Sequence, residues 1–172
     1  TTGSTDAERF MALTIASARK RLWVTNSYFV PDDDFRNLLK DAARRGVDVR
    51  ILTTGPATDV KTTTWAGRAR YDELLEAGVR IWEYQPTMMH AKTFVVDGLW
   101  ATIGSLNFDN RSLAFNNESN LVTLDSAIGA QMDSIFLADL RHSREITLAE
   151  FRERPRTRRL LEWSANLLSR LL

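Results

Sequence analysis

With 172 residues, 44% of them hydrophobic, the chain fits one domain, can build a substantial core and does not belong with disordered sequences. Its 23 basic and 22 acidic residues leave a net charge of +1, so there is no general electrostatic pull on nucleic acid and any steering must be local. Cysteine is absent and histidine occurs twice, which rules out disulfides, thiolate metal sites and a histidine-rich metal cluster, and no apolar run approaches the roughly 18 residues of a membrane span.

Thr1 is neither an initiator methionine nor the head of a signal peptide, so the chain reads as part of a longer protein. Thr5-Asp6-Ala7-Glu8 has the form of a capping box, and Phe10, Met11, Leu13, Thr14, Ile15 and Ala18 form a helical apolar stripe that ends at Arg19-Lys20-Arg21. Leu22 to Val30, rich in aromatic and β-branched residues, reads as a strand. Pro31-Asp32-Asp33-Asp34 opens a helix with negative charge at its positive end. A metal site is the weaker reading of that triplet, because no second carboxylate cluster accompanies it. The helix runs from about Asp33 to Arg45, carries Phe35, Leu38, Leu39, Ala42 and Ala43 on one side and stops at Gly46. Val47 to Thr53 is the next strand. A strand, helix, strand order with short joins favours a parallel crossover, whose ligands gather beyond the carboxyl ends of the strands. The loops after Val30 and Leu52 therefore matter most.

Thr53 to Thr64 is long enough to form a lid or wall, and Trp65 behind it either docks on the core or lines a substrate mouth. A helix is expected from about Trp65 to Ala77, burying Ala69, Tyr71, Leu74 and Leu75 and stopping at Gly78. Val79 to Tyr84 is then a strand that Pro86 breaks, after which one of Met88 and Met89 is expected in the core and the other exposed.

The next stretch, Met89-His90-Ala91-Lys92-Thr93-Phe94-Val95-Val96-Asp97, concentrates the chemistry. Read as a strand, it projects His90 and Lys92 from one face, an imidazole beside an ammonium. Asp97-Gly98 is a type I′ hairpin signal, so Leu99 to Gly104 returns as the neighbouring strand and brings Ser105 and Asn107 back towards His90. A nucleophile or acid, a fixed cation and two neutral donors suit a phosphate ester, in which charge grows on non-bridging oxygens. Asp97 is demanded by the turn and lies at odd spacing from Lys92, so it is expected to support the site from off its reactive face.

Glu118 to Leu124 reads as a further strand, and Asp125-Ser126 caps a helix to about Arg141 with Ile128, Met132, Ile135, Phe136 and Leu140 inward. His142, with no Lys or Asp at the motif spacing, is read as a terminal or surface histidine. Arg141 to Arg159 holds seven arginines against three glutamates and is interrupted by Pro155. Leu160, Leu161, Leu167, Leu168, Leu171 and Leu172 then recur at helical spacing beside Trp163. Packing on the domain is the expected fate of most of these leucines, with an anionic membrane surface as the alternative. No period of 20 to 50 residues repeats.

His90-x-Lys92-x4-Asp97, Gly104-Ser105-x-Asn107 and Glu118 within Asn116-Asn117-Glu118-Ser119-Asn120 resemble the phospholipase D superfamily and its HKD motif. Tyr28-Phe29-Val30-Pro31-Asp32, Arg45-Gly46-Val47-Asp48-Val49-Arg50-Ile51-Leu52, Leu75-Glu76-Ala77-Gly78-Val79-Arg80-Ile81 and Phe108-Asp109-x-Arg111-Ser112 look more narrowly like the C-terminal half of a bacterial cardiolipin synthase. One departure is Asn26-Ser27-Tyr28-Phe29 where that family often has Thr-Pro-Tyr-Phe, which leaves the acceptor alcohol open.

The resemblance implies an α/β/α sandwich with a mixed central sheet, carrying one HKD half of a two-half active site. Residues 1–172 are expected to form one domain, with a core over about 5–142 and an Arg-rich segment and terminal amphipathic helix over about 143–172. The implied activity is phosphatidyl transfer to an alcohol such as phosphatidylglycerol through a phosphohistidine, with no metal or other cofactor. Lys92, Ser105 and Asn107 would bind phosphate, and Glu118 would accept a hydrogen bond from a histidine's far nitrogen. His90 would be the general acid in a C-terminal half, and either acid or nucleophile in a homodimer. The partners implied are the second HKD half and a membrane surface, which places the chain peripherally on the cytoplasmic face of the cytoplasmic membrane. The competing readings are a phospholipase D-type phosphodiesterase or single-motif nuclease acting as a homodimer, and a non-catalytic lipid- or protein-binding half-domain. The small net charge counts against the nuclease.

Overall fold

The computed structural model describes residues 6–109, 112–113 and 116–168, apart from the Leu168 side chain. The expectations at Thr5, Arg111, Leu171 and Leu172, and at the side chain of Leu168, lie outside the described residues.

Seven strands form one mixed sheet: β1 (Arg21–Asn26), β2 (Asp48–Thr54), β3 (Arg80–Tyr84), β4 (Lys92–Val96), β5 (Trp100–Gly104), β6 (Asn120–Leu124) and β7 (Ser143–Ile146). Their order is β6-β5-β4-β1-β2-β3-β7. β1, β2 and β3 run parallel to one another and every other pairing is antiparallel. Around the sheet lie α1 (Asp6–Ser17), α2 (Asp33–Arg44), α3 (Lys61–Arg68), α4 (Tyr71–Glu76), α5 (Ser126–Leu140), α6 (Leu148–Arg152) and α7 (Arg156–Leu168).

Strand alternation sets the two layers. Leu22 and Val24 of β1 join Ile51, Ile81 and Phe94 in a core completed by Met11, Ile15, Leu39 and Leu74 from α1, α2 and α4. Trp23 points to the other side, where it stacks on Phe136 of α5 and packs with Leu52 and Trp82. The result is an α/β/α sandwich. Each fully buried aliphatic side chain contributes on the order of 1.5–3 kcal/mol, so this double core supplies most of the driving force.

Local signals account for the helix boundaries. Asp32 caps α2 by accepting from the Phe35 N–H (2.9 Å), which gives the acidic triplet a structural role. Gly46 ends α2's connection at φ +90°, a conformation that favours glycine.

Several expectations are corrected. β1 ends at Asn26 instead of continuing to Val30, and Phe29 makes only an isolated bridge to Phe108. The helix expected over Trp65 to Ala77 is two helices, α3 and α4, separated at Ala69 and Arg70. Leu13 is exposed, and so are Ile128 and Ile135; α5 buries Met132 and Phe136 as expected, but with Gly129 and Asp133 in place of the two isoleucines. Its close face exists because Gly129 lies against the Gly98 carbonyl, where a Cβ would come within 2.2 Å, and because Asp133 pairs with Arg21. Glu118 and Ser119 precede β6 instead of starting it. Beyond residue 142, β7 extends the sheet next to β3, and Ile146 and Phe151 enter the main core. Leu160, Leu161 and Leu167 stay exposed, because α7 docks through Glu162 and Ala165.

Candidate active site

The parallel strands β1 and β2 end at Asn26 and Thr54, and β4 begins at the same edge because Asn26 pairs with Lys92. This carboxyl edge is held together by polar side chains. Asn26, fully buried, donates to the Leu106 carbonyl (3.3 Å) and accepts from the Phe108 N–H (3.0 Å), tying β1 to the loop after β5. The Thr54 hydroxyl lies within hydrogen-bond reach of the carbonyls of Ser27 (2.9 Å) and Met89 (3.2 Å).

His90 lies two residues before β4, so the expected shared strand face with Lys92 is not formed. The carbonyls of Met89, His90 and Ala91 are taken by the side chains of Thr54, Lys92 and Ser27 in place of a strand ladder. The imidazole is exposed and makes no hydrogen bond among the described residues; its ring meets Tyr28 edge-on with centroids 5.8 Å apart. Of the methionines, Met89 is buried and Met88 half-buried.

Lys92, only 6% exposed, donates to the His90 carbonyl (3.1 Å) and the Ser27 hydroxyl (3.2 Å), and its Nζ lies 5.8 Å from the centre of the Tyr28 ring. Burial lowers the ammonium's pKa, against the pull of the Glu118, Asp109 and Asp59 carboxylates. The Tyr28 hydroxyl donates to Asp59, 2.9 and 2.8 Å from its two oxygens, and burial together with Asp59 pushes the phenol up to about 12.

Tyr28 also lines a cavity of about 300 Å³ with Val60, Thr63, Asn107, Asp109 and Ser112. The Asn107 amide makes no hydrogen bond among the described residues, although its Oδ1 is buried. Ser105 is used locally: its Oγ accepts from the Ser119 N–H (3.0 Å) and its own N–H donates to the Ser119 carbonyl (3.0 Å). Gly104 permits this closure, since a Cβ there would lie 2.4 Å from that carbonyl. Glu118 accepts from Ser112 Oγ (2.8 Å) and Asn116 Nδ2 (3.3 Å) and reaches Lys92 through its charge.

Asp97 sits at the other end of β4, roughly 16 Å away at about 3.3 Å per residue. There it accepts from the N–H groups of Arg19 (3.1 Å), Lys20 (2.8 Å) and Arg21 (2.9 Å). Asp97 and Gly98 both take positive φ, as the hairpin signal requires. His142 precedes β7, four strands from β4, a separation of roughly 19 Å at about 4.8 Å per strand. One phosphorus atom cannot meet both histidines of this chain.

Sequence reasoning missed Ser27, Tyr28 and Asp59 as parts of this cluster. The available signal was the polar run Asn26-Ser27 at the carboxyl end of an otherwise buried strand. Trp65 is half-buried and lines neither the core nor the Tyr28 cavity; it borders a groove with Lys61, Thr157 and Leu161. Among the described residues, no group of His, Cys, Asp and Glu is arranged to hold a metal ion, and no helix is long and apolar enough to cross a membrane.

A family model described as cardiolipin synthase, PLD-like domain, matches residues 11–140. The cardiolipin synthase of Alkalihalophilus pseudofirmus is 41% identical over 158 residues, covering 92% of this chain and 31% of that protein. The chain therefore spans about a third of the length of the curated relatives it matches. The fold is shared with the phospholipase D family member Nuc from Salmonella typhimurium, at TM-score 0.73 and 19% identity, covering 83% of this chain and 92% of Nuc. It is also shared with phosphatidylserine synthase from Haemophilus influenzae, at TM-score 0.76 and 15% identity, covering 99% of this chain and 46% of that one.

Proposed function

Because the chain belongs to the cardiolipin synthase, PLD-like domain family, we propose that it supplies one half of the active site of a phosphatidyl transferase acting on phospholipid. The observation that carries this reading is the pairing of an exposed imidazole, His90, unbonded among the described residues, with the buried, partly desolvated ammonium of Lys92. Lys92 and the Asn107 amide bind the non-bridging oxygens of a phosphodiester. With a second imidazole opposite, one histidine attacks phosphorus; the new P–N bond replaces the P–O bond to the leaving alcohol, which takes a proton from the other imidazolium. In the second step the neutral imidazole removes the proton of an incoming alcohol, such as phosphatidylglycerol, whose oxygen attacks phosphorus; the new P–O bond replaces the P–N bond and frees the nucleophilic histidine. Glu118 and Tyr28 hold the surroundings of Lys92, and Asp97 serves the scaffold.

The second histidine must come from outside this chain's own reach, from another part of a longer protein or from a second copy. The exposed Leu121, Val122 and Leu124 on edge strand β6, directly after Glu118, support a covered neighbour on that side. The test is incubation of the chain, alone and with the missing half supplied, with phosphatidylglycerol and separately with plasmid DNA, both in chelator. Chelator-resistant phosphatidyl transfer by the paired sample is expected. DNA cleavage with no lipid turnover would replace this reading with the nuclease, and inactivity on both would leave a binding half-domain.

A further inference from the structure

α7 is attached the wrong way round for an amphipathic helix. Its buried residues are Glu162, with no exposed surface, and Ala165, whereas Leu160, Trp163 and Leu167 are 64%, 58% and 59% exposed. The anchor is ionic. Glu162 accepts from Arg68 Nε on α3 (3.0 Å) and Arg154 Nε (2.8 Å), and Arg68 also pairs with Glu83. The Arg154 guanidinium carbon lies over the Phe151 ring, 3.5 Å from its centre. With the charged face docked, Leu160, Trp163 and Leu167, at i, i+3 and i+7, form one outward apolar stripe.

The arginines around that stripe divide into two sets. Arg68, Arg152, Arg154 and Arg158 each face a carboxylate. Arg70, Arg156 and Arg159 have no ion pair among the described residues, and all three are exposed. They line, with Leu160 and Trp163, a groove of about 510 Å³ whose one carboxylate, Asp72, faces Arg154 at 3.5 Å. Uncommitted guanidiniums beside an outward tryptophan and two leucines match a surface with phosphates at one level and hydrocarbon just below it.

We propose that the outer face of α7, with Arg70, is a docking surface for an anionic phospholipid bilayer, a partner that rests on the reading of the substrate as lipid. The arginines take lipid phosphates while Trp163, Leu160 and Leu167 enter the headgroup boundary. The helix lies along the membrane surface and brings the sheet's carboxyl edge to its substrate from the aqueous side.

The test uses the 172-residue chain carrying His90→Ala, so that vesicle binding is measured without turnover. Co-sedimentation with vesicles of equal phosphatidylglycerol and phosphatidylcholine is compared with pure phosphatidylcholine vesicles, alongside glycerol phosphate as a soluble competitor. Binding to the anionic vesicles alone, unaffected by millimolar glycerol phosphate, is expected. The triple variant Arg70→Gln, Arg156→Gln, Arg159→Gln is expected to lose about a hundredfold in partitioning, roughly fivefold per arginine. Leu160→Ser with Leu167→Ser is expected to abolish binding while circular dichroism and melting stay unchanged, since both side chains are exposed. Equal vesicle binding by all variants would overturn the proposal, and so would self-association of the parent chain that the leucine variants abolish, which would make the face a contact between copies. With His90 restored and the second half supplied, the arginine and leucine variants are expected to keep full transfer on detergent-dispersed lipid, so that their loss of vesicle binding is separate from any failure of the catalytic reading.

Discussion

The two ends of β4 carry the motif's charged residues in opposite circumstances. At the Asp97 end, a carboxylate is met by three backbone N–H groups, and these donors outweigh the cost of burial and hold its pKa below the ordinary range. At the Lys92 end, burial dominates: an ammonium is desolvated beside an imidazole that makes no hydrogen bond among the described residues. A polar group whose partners are all internal serves the fold, whereas one kept buried or open without its full complement is kept for something that arrives later. By this criterion the motif's last residue is structural, and its first two are the ones proposed to act on substrate.

The largest effect expected from breaking this contrast is at His90. In a complete enzyme, His90→Ala should cost between about a hundredfold and ten-thousandfold in turnover and leave the melting temperature unchanged, because the side chain is exposed. Lys92→Met should cost about a hundredfold, the scale of one lost electrostatic donor, with stability retained or raised because a desolvated charge has been removed. Matched melting curves and initial rates check both.

At the other end the signs reverse. Asp97→Ala should lose about 2–3 kcal/mol of stability, consistent with hydrogen bonds to a charged group, with turnover per folded molecule close to wild type. The pH dependence sharpens this. Asp97 has a depressed folded pKa, so its contribution is fully present above the unfolded value of about 4 and is lost as pH falls through the folded value. The stability gap between wild type and Asp97→Asn, followed by urea unfolding, should therefore be largest near neutrality and shrink below about pH 4. A constant gap would remove the electrostatic explanation.

The smallest effect is expected between these extremes, at the Tyr28 hydroxyl that anchors Asp59. Tyr28→Phe keeps the ring against His90 and Lys92 and should reduce turnover roughly threefold to tenfold, the size of one lost hydrogen bond.

The sandwich was legible in the sequence wherever a local rule acted alone. Gly46 and Gly78 marked helix ends, Asp97-Gly98 marked the hairpin, and Phe35, Leu39 and Ala42 marked the buried side of α2. Reading failed where a distant partner decided the outcome. β7 is Ser-Arg-Glu-Ile, a short polar edge strand with one buried residue, and only its pairing to β3 makes it a strand. The buried side of α5 is set by Gly129 against Gly98 and Asp133 against Arg21, neither of which an apolar count detects. Glu162 is buried only because Arg68 and Arg154 come from elsewhere in the chain, which turned Leu160, Leu161 and Leu167 outward. The candidate residues His90 and Lys92 were picked out by type and spacing, but the strand geometry assigned to them was wrong, since the ladder starts only at Lys92.

The central claim is that this chain holds half of a two-histidine site, because His90 and His142 stand too far apart to share one phosphorus. It is tested most directly by measuring phosphatidyl transfer from phosphatidylglycerol at concentrations where sedimentation shows a single copy, before and after the second half is supplied. No turnover by the monomer and sustained turnover on pairing is the predicted result; sustained turnover by a demonstrated monomer would contradict it.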